Sequence, residues 1–506
     1  DKVSLKTVNG KKYAFDDEGK MLYGWVDENS AERIDNTDGD AFKEATYYFG
    51  GEDDGAMTTG WALLDVTYDV VEDNTYNAIA PVFTDDEDQS RWFYFQSNGK
   101  KVHSDSADKV KEKTINGKKY GFDQYGAMVA EWSVDVDRAS NNGVDILGSK
   151  SDVIANKKSV SAKYAQQWRY FNNVEDGSKV SRGWFKVVSA EYLNDEKYED
   201  DETDWYYAKG NGDLYAGVFK TINGKKYAFD EYGAMVAEWS LDEGDEKIAS
   251  KSEERAKASV DVATTSEAWN GAGNYAKYTQ AWRYFNSVED GSRVSKGWFK
   301  VVAAEMLNKD KYDDDEDAWY YADGSGKLYA GEFKTIKGKK YAFRNDGRMI
   351  NGLKFIKEGT NDFEDVIADD DDNHSFDNED DFLAQASTYF EGEGYKCYYF
   401  GGDEDGAMRT GKTSLTFDGE NTNFYFEKSG GKKGAGVTGE KDNKLYQSGM
   451  LLKADSDDKY TVVDKETHTK AGGTKYVTYT KLDDAKAFMD SVKNHGGKVN
   501  DELAGK

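Results

Sequence analysis

Carboxylates are the side chains with which this sequence could most directly do chemistry. The segments "DNTDGD" (35–40), "EDDETD" (199–204) and "ADDDDN" (368–373) crowd acids onto stretches that read as loops. Calcium takes about six to eight oxygen ligands. Asp35, Asp38 and Asp40, and Asp370, Asp371 and Asp372, are therefore the candidate ligands of an ordered calcium ion. None of these segments has the EF-hand spacing, and solvated loop tips are the other reading. No motif requires a cofactor. The histidines, His103, His374, His468 and His495, are scattered without zinc spacing, and Cys397 has no companion. Nucleophile-elbow, phosphate-loop and dinucleotide fingerprints are missing from the sequence. Acid pairs occur throughout and single out no glycosidase pair. The expectation is a protein without catalytic residues.

Composition narrows the classes further. Of 506 residues, 38% are hydrophobic and 14% aromatic, so the apolar content leans on Tyr, Phe and Trp rather than on aliphatics. Small aromatic-rich layers fit that content better than one large aliphatic core. The net charge of −30 disfavours nucleic acid and anionic membrane as partners. No apolar run approaches the roughly 18 residues of a membrane span. A single cysteine excludes an intrachain disulfide. The chain begins with Asp1 rather than Met, which points to removal of a signal peptide or another segment.

The elements that must position any site are repeats. The phrase Thr-Val/Ile-x-Gly-Lys-Lys-Tyr starts at Thr7, Thr114, Thr221 and Thr335, at spacings of 107, 107 and 114, with a faded copy near Asp442. "QQWRYFNNVEDGSKVSRGWFKVVSAE" (166–191) matches "QAWRYFNSVEDGSRVSKGWFKVVAAE" (280–305) at 21 of 26 positions. Asn-Gly accepts the positive φ of a type I′ turn, and "KYAF" alternates like a half-buried strand. One hairpin is marginal in water, whereas stacked copies bury one another's aromatic faces. A lone proline, Pro81, agrees with nearly continuous strand pairing. The predicted fold is all-β, a solenoid of stacked β-hairpin repeats over residues 1–453 in blocks of about 110 residues. The inserts after Gly60-Trp61, Gly183-Trp184 and Gly297-Trp298 read as longer hairpins with acidic tips, and 246–263 reads as a short helix. Residues 454–506 form a small α+β piece, a cap or docking segment, whose helix has Asp483 or Asp484 as cap and Gly496 as stop.

The phrases "GAMTTGW", "WYYAKGNGDLYAGVF" and "FKTINGKKYAFDEYGAM" resemble the choline-binding and glucan-binding cell-wall repeats, and are similar to the C-terminal repeats of large clostridial toxins. The resemblance implies a secreted hairpin solenoid on the surface of a Gram-positive bacterium, attached without catalysis to wall choline or a glycan polymer. In the choline-binding members, aromatics of successive hairpins cage a trimethylammonium group. The positions that match are Trp61, Trp184 and Trp298 of the Gly-Trp phrases, with Trp92, Tyr94, Trp205, Tyr207, Trp319 and Tyr321 of the Trp-aromatic-Tyr phrases. Buried packing is the competing role for each of these rings. A second function stays open. A repeat array with distinctive ends can join copies of itself end to end, and such an interface does not close, so it builds a filament.

Overall fold

Where the repeated phrase turns, Asn9-Gly10, Asn116-Gly117 and Asn223-Gly224 hold both central residues at positive φ, and Lys337-Gly338 does the same. These are the left-handed turns that match strand twist. Each joins two five-residue antiparallel strands: Ser4–Val8 with Lys11–Phe15, Lys111–Ile115 with Lys118–Phe122, Val218–Ile222 with Lys225–Phe229, and Glu332–Ile336 with Lys339–Phe343. The computed structural model describes residues 2–146, 162–241, 274–367 and 376–497. The fold is all-β, made of many small antiparallel sheets with no closed barrel among the described residues. The helix expected at 246–263 lies outside the described residues.

The chain divides into two compact units, Asp1–Ser252 with Phe285–Arg293, and Glu253–Tyr284 with Val294–Lys506. In the first unit the 60–95 segment is a hairpin of nine-residue strands, Gly60–Tyr68 and Glu87–Phe95. Its connection is not merely an acidic tip. It carries two short helices, Val70–Asp73 and Thr75–Ile79, the first capped by Asp69 accepting from the Glu72 amide. The insert of the Gly183–Val188/Thr203–Ala208 hairpin likewise holds a helical turn, Asp195–Glu199, capped by Asn194. Aromatic layers fill this unit. Trp25 packs between Tyr48 and Phe93, and Trp132 lies 5.0 Å from Tyr206.

Adjacent hairpins are joined by a repeated seat. Each methionine of the Gly-x-Met phrase rests on a glycine in a later turn: Met21 on Gly55, Met57 on Gly99, Met128 on Gly177 and Met235 on Gly291. At Gly177 a Cβ would stand 2.3 Å from the Met128 sulfur, so the position admits only glycine without displacement. A backbone bond accompanies the seats of Met57, Met128 and Met235, as where the Met128 amide donates to the Trp92 carbonyl at 2.8 Å.

The second unit repeats the hairpin with its helical turn, Gly297–Val302 and Asp317–Ala322 around Lys309–Asp313. Beyond that the sheets widen. Phe363–Ile367, Leu353–Glu358 and Tyr395–Tyr399 form a three-stranded sheet, and the faded copy near Asp442 is absorbed into a five-stranded one with Gly411–Phe417 and Glu420–Phe426. Helix Glu379–Thr388 covers them, with Phe382 stacked 5.4 Å from Phe355. The terminal strands Val462–Thr469 and Lys475–Leu482 pair, and the Tyr479 amide donates to Gln447 at 2.6 Å. Helix Ala485–Asn494 follows, capped by Asp484, with Gly496 at positive φ where it stops.

Candidate functional site

The nine aromatics singled out in the sequence come together as three copies of one constellation. In sequence Trp61 and Trp92 are 92−61 = 31 residues apart, but the insert returns and places them on one face of one hairpin. Trp61 pairs across the strands with Tyr94, and Leu63 with Trp92. The Trp61 and Trp92 rings stand perpendicular, 6.2 Å apart, and Tyr94 lies 5.2 Å from Trp61. The following hairpin supplies Tyr120 at 4.8 Å and Phe122 at 5.7 Å. The second copy has Trp184 with Trp205 at 6.4 Å, Tyr207 at 5.1 Å, Tyr227 at 4.8 Å and Phe229 at 5.6 Å. The third has Trp298 with Trp319 at 6.3 Å, Tyr321 at 5.1 Å, Tyr341 at 4.8 Å and Phe343 at 5.6 Å.

All nine residues are half-buried, whereas Trp25, Trp132, Trp168 and Trp282 are buried core. Strand alternation does this sorting. In Glu87–Phe95 the side chains of Arg91, Phe93 and Phe95 point inward, and Trp92 and Tyr94 take the other face. That face is an aromatic surface with a negative quadrupole, open on one side to solvent.

The sequence reading missed several members. Tyr120, Tyr227 and Tyr341 come from the tyrosine of the Gly-Lys-Lys-Tyr phrase that follows each pair of tryptophans. Met128, Met235 and Met349 bond through their amides to the carbonyls of Trp92, Trp205 and Trp319. Acids from a later turn stand at each copy: Glu175 and Asp176 at the first, Glu289 at the second and Glu404 at the third. In the first copy Trp61, Trp92, Tyr120, Met128, Glu175 and Asp176, with Lys118, line a cavity of about 380 Å³.

Charge distinguishes the copies. In the second, Lys186 faces Trp205 across the strands, with Nζ 5.9 Å from the ring centroid and 2.6 Å from Glu289 Oε1. In the third, Lys300 faces Trp319 at 5.9 Å and donates to Glu404 Oε1 at 2.6 Å, while the Trp319 indole donates to Glu404 Oε2 at 2.8 Å. Lys186 holds the Glu289 carboxyl below its ordinary value, and Lys300, then the Trp319 indole, does so for Glu404.

The described calcium candidates, Asp35, Asp38 and Asp40, do not converge in this way. Asp35 accepts from the Thr37 amide and hydroxyl at 3.1 and 2.7 Å, and Asp35, Asp38 and Asp40 are exposed. Among the described residues no group of three or more acidic, histidine or cysteine side chains is arranged to hold a metal. Asp370, Asp371 and Asp372, like His374, lie outside the described residues. Cys397 is buried, and burial pushes its thiol well above the usual range. His468 bonds to the Thr478 hydroxyl at 2.8 Å and His495 to Asp464 at 2.7 Å. No described helix is long and apolar enough to cross a membrane.

No family model matches the chain. In sequence it is similar to glucosyltransferase-S of Streptococcus mutans serotype c, 25% identical over 282 residues, which is 53% of this chain. The chain spans 16% of the length of that curated relative. Among solved structures it is similar to choline-binding protein F of Streptococcus pneumoniae, at 15% identity and a TM-score of 0.28, covering 90% of this chain and 99% of that one. It is also similar to the modular autolysin LytC of the same species, at 15% identity and a TM-score of 0.30, covering 74% and 52%. In its hairpin repeats the chain resembles choline-binding and glucan-binding repeat proteins.

Proposed function

We propose that this chain is a non-enzymatic extracellular repeat protein of a Gram-positive cell surface, binding cell-wall choline or a glycan through the aromatic sites between its hairpins. The observation that carries the reading is the threefold recurrence of one half-buried Trp–Trp–Tyr arrangement, with matching centroid distances equal to within 0.2 Å. Core packing alone would not leave the same face half-open each time. A quaternary ammonium has no hydrogen-bond donor, so aromatic faces are the natural means of holding it. The sequence likeness to a glucosyltransferase supports a glucan as the other candidate. Titrating tryptophan fluorescence with choline and with an α-glucan tests the reading. One of the two is expected to shift the emission, and the triple substitution Trp92→Ala, Trp205→Ala, Trp319→Ala to abolish the shift. Silence towards both ligands would overturn it.

A second reading, end-to-end assembly into a filament, is favoured by apolar side chains left open in the C-terminal segment. Tyr460 is 80% and Phe488 45% exposed. Negative-stain microscopy would show filaments that disappear on deletion of residues 455–506.

A further inference from the structure

We infer that the residue facing the second tryptophan across each hairpin decides which sites accept a cation from outside: Leu63 leaves the first open, while Lys186 and Lys300 fill the second and third from within. The inference rests on the reading of these sites as cation-binding given above.

The three positions are equivalent by register, since Leu63 pairs with Trp92, Lys186 with Trp205 and Lys300 with Trp319. In the second and third sites an ammonium already lies within reach of the indole face and is bonded to the carboxylate of the later turn. A ligand cation entering there must displace a lysine tethered at the site, whose effective concentration is on the order of millimolar or higher. It must also break a charge-assisted hydrogen bond.

The first site has no lysine at that register position, where Leu63 stands opposite Trp92. Leu63 is 48% exposed and offers only an aliphatic edge. Glu175 stands where Glu289 stands in the second copy, as the aligned segments 174–178 and 288–292 are both "VEDGS". Its amide donates to Asn173 Oδ1 at 3.2 Å, which holds the turn, and its carboxylate makes no ion pair among the described residues. Lys118 also lines the cavity, and the Asp176 carboxyl is held below its ordinary value first by hydrogen bonds from Ser178 and then by the Lys118 charge. Ring faces, Met128 and the carboxylates of Glu175 and Asp176 around about 380 Å³ suit a methylated ammonium group.

Equilibrium dialysis with choline tests the inference on the full chain. Leu63→Lys is expected to remove one bound equivalent, and Lys186→Leu with Lys300→Leu to add two. All three positions are exposed, so folding should survive. Circular dichroism melts check this, with Leu63→Arg as a second closing variant. Unchanged stoichiometry in the folded variants would overturn the inference. If Trp92→Ala still lowered choline binding in that case, the aromatic reading would stand without it. Binding of α-glucan but not choline, or of neither, would overturn the inference, and the second result would remove the aromatic reading as well.

Discussion

Lys101 offers a stability test that can be worked through from its surroundings. Its side chain is buried, its amine donates to the Phe42 carbonyl, and the nitrogen lies 5.7 Å from the Trp25 ring. Burial lowers its pKa to about 7, against the opposing pull of Asp123. In the unfolded chain the same amine titrates near 10.5. Between these values the unfolded state binds one more proton, so stability rises with pH from about 7 and the gain is complete near 10.5. The full span, 10.5 − 7 = 3.5 units, sets an upper limit of about 5 kcal/mol at about 1.36 kcal/mol per unit. From about pH 7.5 to about pH 9.5 the gain is about 2.5 kcal/mol, or about 5–10 °C in Tm for a unit of this size. Replacing the amine by a thioether of similar length, Lys101→Met, removes the titration. Melts of both proteins across that range, followed by near-ultraviolet circular dichroism, are expected to show the wild type gaining on the variant as pH rises. Subtracting the curves cancels the groups common to both. Parallel curves would refute the reasoning, because they would mean that the amine titrates alike folded and unfolded. The result bears on the first aromatic site as well. The Lys101 stem lies where a Cβ on Gly126 would stand, in the turn that leads to Met128.

Gly177→Ala is expected to cost about 1–2 kcal/mol for a side chain at positive φ, and to weaken choline binding at the first site by displacing Met128; urea midpoints and dialysis measure the two effects. Lys337→Asn puts the turn residue of the other three copies where φ is already left-handed, and should stabilise by about 0.5–1 kcal/mol on thermal melting. The Lys300–Glu404 bridge is fully present above the ordinary glutamate value and is lost as pH falls through the depressed one. Acid titration of tryptophan emission should therefore show a step that Glu404→Gln removes, because protonation frees the Trp319 indole.

Turn chemistry and period make the hairpins legible in the sequence, since Asn-Gly and the alternation of "KKYAF" act within a few residues. The nine aromatics are legible for a similar reason, being repeated letter for letter. Their grouping with Tyr120, Tyr227 and Tyr341 is not, because it depends on how one hairpin seats against the next. The helical turns at 70–73, 195–199 and 309–313 are too short to show a helical period, and their Asp or Asn caps look like ordinary loop residues. Composition also fails to separate core from site. "WRYF" at 168–171 is buried on both faces, while "WYYA" at 205–208 alternates. The difference lies in whether a neighbouring layer covers the second face. Lysine or leucine opposite the second tryptophan looks like ordinary surface variation until register places it beside the ring.

The methionine-on-glycine seats have a mechanical consequence. Each is a small contact, in most copies with one backbone bond beside it, repeated from hairpin to hairpin. A chain pulled from its ends would load these joints one after another, so rupture should come in many modest steps. A chain built this way dissipates tugging gradually, and hairpins still intact on either side of a broken joint keep the template on which it can close again.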